Sequence, residues 1–282
     1  MKVSIVTISY NQARFLKRNI ESVRQQDYPN IEHIIVDPGS TDGSREIIQQ
    51  YKNHFSQIIL EPDDGPADGL HKGIDLATGD ILAQLNADDC YLPGAISKVT
   101  DEFTKYPELG VVYGNGIMAD LDGMPIKHIY ADEFSANGYV YGRVAIFQQA
   151  TFYTQWAYQR VGGLNLNNQN SWDAELMVDF SMEDIPMRKI DHDLGVFSIY
   201  PQSISGSKRL IDMYHADQER IFEKVTGRPA TSVDKFIRKC GKILRLGRNP
   251  AIIYKRLVNS LLGTEYGINT DALTWMNLKD NY

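Results

Sequence analysis

Cysteine is scarce. Cys90 and Cys240 are the two in 282 residues, they lie far apart, and neither falls in a CxxC or histidine-containing spacing. That excludes a disulfide framework, suggests no structural zinc site, and makes a reducing compartment the expectation. Long apolar runs are missing too, since no stretch approaches the ~18 uninterrupted residues of a membrane span. The opening Met1–Tyr10 has one lysine and then a short apolar run broken by hydroxyls, too short and too polar for a signal peptide, so any membrane contact is expected to be peripheral. Positive charge is in deficit: 29 Lys and Arg stand against 36 Asp and Glu, a net charge of −7, which argues against a surface built to bind nucleic acid. Low-complexity segments and internal repeats are absent.

The remaining composition, 43% hydrophobic and 23% charged, is that of a folded chain long enough for one large α/β domain with or without an appendage. Val3 to Ile8 reads as a buried strand, and Phe15, Leu16, Ile20 and Val23 give Ala13 to Arg24 helical spacing. Ile31 to Val36 is a second strand, followed by Gly39-Ser40-Thr41-Asp42-Gly43, where Ser40 or Thr41 can cap a helix through Ile47 and Ile48. Further strands are expected at Phe55 to Leu60, Ile81 to Leu85 and Val111 to Tyr113, with helices at Ala67 to Leu76 and about Pro93 to Phe103. Strands separated by helical crossovers imply a mainly parallel sheet covered on both faces.

After residue 114 the rhythm changes. Leu121-Asp122-Gly123 reads as a turn between short extended stretches, Phe147 to Tyr153 as extended, Ala157 to Val161 and Trp172 to Met182 as helices, and Gly195 to Tyr200 as a late strand. From Ile211 onward the pattern is helical and the charge sign changes. Nine Lys or Arg (Arg228, Lys235, Arg238, Lys239, Lys242, Arg245, Arg248, Lys255 and Arg256) stand against Asp234, interleaved with Phe236, Ile237, Ile243, Leu244, Leu246, Ile252, Ile253 and Leu257. Two readings stay open: amphipathic helices on an anionic membrane, or an apolar stripe packed on the rest of the chain with its charges facing water.

Ligands of open parallel sheets bind beyond the carboxyl ends of the strands. Three strands here end in polar residues that a core does not need: Ser9-Tyr10-Asn11, Asp37 with Pro38-Gly39-Ser40, and Asn86-Ala87-Asp88-Asp89. Adjacent carboxylates repel each other beside a sheet unless something positive joins them, and Mg²⁺ or Mn²⁺ sharing substrate phosphates is a fitting partner. The plainer account of Asp88-Asp89 is a turn pair that hydrogen-bonds its own backbone.

The ordered blocks Val3 to Asn11, Ile35-Val36-Asp37-Pro38-Gly39-Ser40-Thr41-Asp42-Gly43-Ser44, Glu61-Pro62-Asp63-Asp64-Gly65, Lys72-Gly73, and Ala77-Thr78-Gly79-Asp80 leading into Leu85 to Asp89 resemble the family 2 glycosyltransferases of the GT-A fold. Weaker similarity continues to about residue 205. The resemblance implies an α/β fold, GT-A, with a Rossmann-like, mostly parallel sheet flanked by helices. We expect residues 1–210 to form the nucleotide-sugar-binding and catalytic domain, and residues 211–282 a mainly helical, basic and amphipathic extension without family signature.

The activity implied is transfer of a sugar from a nucleotide-diphosphate sugar to a hydroxyl of a saccharide or lipid-linked saccharide acceptor, with inversion at the anomeric carbon. Surface polysaccharide or glycolipid assembly is the implied setting, and the cytoplasm, at the inner face of the cell membrane, the implied place. Mn²⁺ or Mg²⁺ is implied on Asp89, shared with Asp88, while Asn86 takes an outer role. Donor contacts are implied for Thr7, Ser9, Tyr10, Asp37, Lys72 and Asp88. Many relatives carry a second Asp where this chain has Pro38, whose side chain and nitrogen offer a base no hydrogen bond, so the resemblance leaves the base unassigned.

Gln148-Gln149-Ala150-Thr151-Phe152 resembles the family's acceptor side, and Ser171-Trp172-Asp173-Ala174-Glu175-Leu176 the block that supplies the catalytic carboxylate. Asp173 stands at the base position, with Gln149, Trp172 and Glu175 as acceptor-side candidates. Arg14, Lys17 and His71 read as solvated helix positions, and Lys72 stands out by its place in the Lys-Gly block. Two alternatives remain beside the transferase: a catalytically silent saccharide-binding protein of the same fold, which loss of the paired acids would favour, and a nucleotidyltransferase acting on sugar phosphates. Against the latter, Val3 to Asn11 contains no glycine, whereas that class carries an early Gly-rich loop followed by Arg and Lys.

Overall fold

A computed structural model describes residues 1–168, 170–203 and 210–248. The part of the basic stretch that includes Ile252, Ile253, Lys255, Arg256 and Leu257 lies outside the described residues.

The chain begins β1 (Val3–Ile8), α1 (Ala13–Arg24), β2 (Ile31–Val36), α2 (Ser44–Gln50), β3 (Gln57–Ile59), α3 (Pro66–Asp75), β4 (Ile81–Asn86). β1 lies between β2 and β4 and pairs in parallel with both, and β2 pairs in parallel with β3. All of the β-branched residues of β1 and β2 except Ile8 and Ile31 are buried, on both faces, as crossover helices require. Phe15, Leu16, Ile20 and Val23 form the buried face of α1. Gly73 accounts for half of the Lys-Gly block, because a Cβ there would sit 2.3 Å from Val6 Cγ1, and its absence lets α3 lie close on β1.

Then come β5 (Cys90–Tyr91), α4 (Ala95–Lys105), β6 (Val111–Ala119), β7 (Pro125–Ile129), α5 (Ala136–Val140), a 3₁₀ turn at Gln148–Ala150, β8 (Thr151–Thr154), α6 (Gln155–Arg160), α7 (Trp172–Met182) and β9 (Met187–Ser198). Among the described residues the sheet has nine strands, in the order β3-β2-β1-β4-β8-β6-β9-β5 with β7 paired to β6. The parallel arrangement of the expected, mainly parallel sheet runs from β3 to β4. Beyond it β8 runs antiparallel to both β4 and β6, while β6 and β9 are parallel. Phe147 to Tyr153 is not one extended segment, since the 3₁₀ turn interrupts it and sets Gln148 and Gln149 at the edge of β4.

α8 (Ile211–Thr226) and α9 (Ser232–Arg248) follow. Ile221 and Phe222 of α8 are buried in one cluster with Ala136, Val140 and Val178, so α8 covers α5 and α7.

Candidate functional site

The carboxyl ends of β1 and β4 and the segments after β2 and β3 open into a cleft of ≈ 1000 Å³. Ser9, Tyr10, Pro38, Asp63, Asn86 and Asp88 line it, together with Gln148, Gln149, Trp172, Asp173 and Tyr200 from the later part of the chain. Parallel strands all deliver their carboxyl ends to one edge, which is why three polar strand ends far apart in sequence meet here.

The acidic turn after β4 is held from α1. Asn19 Nδ2 donates to the carbonyls of Asn86 and Asp89, both at 2.9 Å, and Arg18 Nη2 donates to the carbonyl of Asp88 at 3.2 Å and to Ser198 Oγ at 2.9 Å. This clamp turns the two carboxylates in different directions. Asp88 is half-buried and lines the cleft. Asp89 is fully buried: its Oδ1 accepts the Ser198 N–H at 2.9 Å, and its Oδ2 accepts Gln149 Nε2 at 2.6 Å and Asn86 Nδ2 at 3.2 Å.

The oxygens of Asp89, where the metal was expected, are hydrogen-bonded to protein donors, and Asp88 is the carboxylate of the pair that lines the cleft. Burial, and then the charge of Asp88, push the Asp89 carboxyl well above the usual range, with the three donors opposing. Burial raises Asp88 as well, opposed by the Tyr200 hydroxyl and Arg18.

Asp173 lies in the first turn of α7 and lines the same cleft as Asp88. Burial raises its carboxyl to about 6, against the pull of the backbone N–H groups of Ala174 and Asp173 itself. A carboxylate that titrates near neutrality is suited to accept a proton.

Other expected positions divide. Ser9 lines the cleft with its buried Oγ lacking a hydrogen-bond partner among the described residues, and Tyr10 stands 62% exposed at the same place. Asn11 takes a left-handed backbone (φ 53°), which asparagine tolerates better than most residues, and its Oδ1 accepts the Thr41 N–H, tying β1 to the loop after β2. Trp172 and Gln149 line the wall.

Thr7 is turned into the core, with its Oγ1 2.9 Å from His33 Nε2 and 3.3 Å from Asn19 Oδ1. Asp37 is buried and braces its own loop, accepting from the Ser40 N–H, Ser40 Oγ and Arg45 Nε. Lys72 donates to the Pro62 carbonyl and pairs with Asp68, so it supports the cleft rim from outside. Glu175 is buried away from the cleft among Asn165, Asn168, Arg220 and Lys224. The side chains of these four are engaged with protein partners, an orientation that spacing along the sequence does not give.

Tyr200 went unrecognised in the sequence. It follows β9, which runs parallel to β6, so its polar end Tyr200-Pro201-Gln202-Ser203 was open to the strand-end argument that singled out the other three. Among the described residues no group of three His, Cys, Asp or Glu gathers to hold a metal ion. Asp88 alone still fits one, since Mg²⁺ and Mn²⁺ are commonly held by one or two carboxylates together with substrate phosphates.

Residues 4–157 match the family model described as Glycosyl transferase family 2. An uncharacterized glycosyltransferase of Nostoc sp. is 35% identical over 116 residues, covering 40% of this chain and 36% of the relative. A putative teichuronic acid biosynthesis glycosyltransferase, TuaG of Bacillus subtilis, is 34% identical over 135 residues, covering 46% and 53%. The chain thus spans roughly a third to a half of these curated relatives' length. Among solved structures, the mannosyltransferase PcManGT from Pyrobaculum calidifontis in complex with GDP-Man and Mn²⁺ superposes with a TM-score of 0.61 at 15% identity, over 99% of this chain and 84% of that one, a likeness of fold.

Proposed function

Because the chain belongs to glycosyl transferase family 2, we propose that its cleft transfers a sugar from a nucleotide-diphosphate donor to an acceptor hydroxyl with inversion. The observation that carries this reading is that Asp88, in the turn after β4, and Asp173, in the first turn of α7, line one cleft. Asp173 takes the proton of the acceptor hydroxyl while that oxygen bonds to the anomeric carbon, and the bond from this carbon to the diphosphate oxygen breaks with its electron pair leaving on the nucleotide. Such base assistance is worth about 10² to 10⁴ in rate. Tyr10 and Ser9 receive the nucleoside side, and Gln149 and Trp172 shape the acceptor side.

Asp88 is the residue that would hold Mn²⁺ or Mg²⁺, which as a Lewis acid would neutralise charge on the departing diphosphate. The complex of the similar mannosyltransferase with GDP-Man and Mn²⁺ supports a divalent cation beside the donor. The teichuronic acid relative supports surface polysaccharide or glycolipid assembly as the setting. A place beside the inner face of the cell membrane would bring nucleotide sugar and lipid-linked acceptor together, and among the described residues no helix is long and apolar enough to cross a membrane. The buried contact of α8 with α5 and α7 favours reading residues 211–226 as a brace on the catalytic domain.

The test is a panel of UDP, GDP, dTDP and CDP titrated with and without Mn²⁺, followed by the corresponding sugars scored for acceptor-stimulated nucleotide release. Binding that Mn²⁺ strengthens for one base is expected. Failure of every nucleotide to bind would overturn the reading.

A further inference from the structure

α9 is amphipathic with its faces reversed. Asp234, Arg238, Gly241 and Arg245 are turned toward the protein. Arg228 binds Asp234 through two nitrogens at 2.7 and 3.0 Å, Arg238 donates to Gln218, Gly241 lies against the Tyr141 carbonyl, and Arg245 Nε is 2.5 Å from Asp132 Oδ2. At 3.6 residues per turn, Val233, Phe236, Ile243 and Leu244 share an arc of roughly 100°. They are 62–69% exposed. Of the two readings of this stretch, packing of the apolar stripe on the rest of the chain is therefore not the one the described residues adopt.

Lys235, Lys239 and Lys242 run along one flank of the apolar arc and are exposed. Lys235 pairs with Glu219, whereas Lys239 and Lys242 have no carboxylate partner among the described residues. Both line a cavity of ≈ 450 Å³ between α8 and α9 whose wall includes Val140, Phe222 and Ala230. Six basic residues stand against Asp234 in Ser232–Arg248 of a chain whose net charge is −7, so positive charge is concentrated on this helix.

We infer that this face of α9 docks on an anionic lipid bilayer, with Val233, Phe236, Ile243 and Leu244 entering the interface and Lys239 and Lys242 meeting lipid phosphates. Charge complementarity selects this occupant. Residues 249–282 carry three basic and three acidic residues, a net charge of zero that offers the lysine flank no complement. The inference is independent of what the cleft transfers.

The full chain is floated with vesicles of phosphatidylcholine alone and of phosphatidylcholine mixed with phosphatidylglycerol. Flotation with the mixed vesicles only is expected. Lys239→Glu with Lys242→Glu should weaken it at least tenfold, since each lysine at such a surface is worth about fivefold. Phe236→Asp with Ile243→Asp should abolish it while leaving the melting temperature in place, as befits solvent-facing positions. Retained flotation of the Phe236/Ile243 variant overturns the inference. So does equal or absent flotation with both vesicles, or competition by inorganic phosphate that makes a free anion the ligand. A melting temperature lowered by Phe236→Asp would mean that residues 249–282 cover the face, and a dimer dissociated by it that a second copy does. Either also overturns it.

Discussion

The Tyr200 hydroxyl lies 3.0 Å from Asp88 Oδ2 and 3.1 Å from Gln12 Oε1. One O–H proton serves one acceptor at a time, so the carboxylate takes it and Gln12 completes the site. Burial, and then the charge of Asp88, raise the phenol above its usual range, which keeps it a donor. Phe15 packs against the ring at 4.8 Å between centroids, fixing its orientation from α1. Tyr200 thus positions the cleft carboxylate. A Tyr200→Phe enzyme should keep its fold and lose about 1–2 kcal/mol of Mn²⁺-dependent donor affinity, roughly 5- to 30-fold. The effect should show in KM and in the Mn²⁺ concentration for half-maximal rate, with kcat changing little. Equal Mn²⁺ dependence in variant and parent would remove the assignment.

The adjacent acids should separate cleanly. Asp88→Asn should abolish the gain in nucleotide affinity that Mn²⁺ confers while leaving the melting temperature within a degree or two. Asp89→Ala leaves the donors of Ser198, Gln149 and Asn86 buried without an acceptor and should cost about 3 kcal/mol or more of stability. Denaturant melts alongside nucleotide titrations measure both. A stable Asp89→Ala protein that has lost Mn²⁺ dependence would reverse the two roles.

That division could not be read from the sequence. Asn86 to Asp89 were legible as a polar strand end, and the strand itself was plain from Ile81 to Leu85. Which carboxylate enters the cleft is decided by Asn19 and Arg18 on α1 and by Ser198 and Gln149, contacts between residues 60 to 109 positions apart for the Asp89 side chain. The expectations for β1, α1 and β2 match the structure end to end because each has one buried face or is buried on both. Only the end of β9 is legible in the sequence, since Met187 to Asp193 is rich in charged, mostly unburied side chains around Ile190 and the buried run begins at Leu194. α5 was missed for another reason: Ala136–Val140 holds a glycine and a valine, poor helix formers, and relies on the Ser135 cap and on cover by α8.

Asp173→Asn should lower kcat by about 10² to 10⁴ and leave nucleotide binding intact. With the carboxyl at about 6, the parent's kcat should fall as pH drops through that value, because the base must be ionised. The same shift has a sign in stability. The folded state holds the proton more tightly than the unfolded one, so it loses stability as pH rises from about 4 to about 6. The neutral Asn variant escapes that loss. It should melt higher than the parent at pH 7 and level with it at or below pH 4, a pattern that a merely disruptive substitution does not produce.

Glu175 takes the acceptor-side expectation in another direction. Burial alone would raise its carboxyl, yet the hydrogen bonds from Arg220, Asn165 and Asn168 hold it below the usual carboxylate range. Through Arg220 and Lys224 it latches α8 onto α7, while Gln218 reaches Ser171 two residues before the proposed base. Glu175→Ala leaves Arg220 with Asp217 and Lys224 with Asp179 but removes the carboxylate that joins them and the acceptor of the Asn165 and Asn168 amides. Since Arg220 remains 37% exposed, the loss should be about 3 kcal/mol, the lower end for a broken buried pair. A depressed carboxyl contributes its stability above the unfolded value of 4.5 and loses it as pH falls through the folded one. The parent's advantage over Glu175→Ala should accordingly shrink in acid, and melts from pH 7 down to pH 3 test that. If Glu175 instead touched acceptor, the variant would keep its melting temperature and raise the acceptor KM.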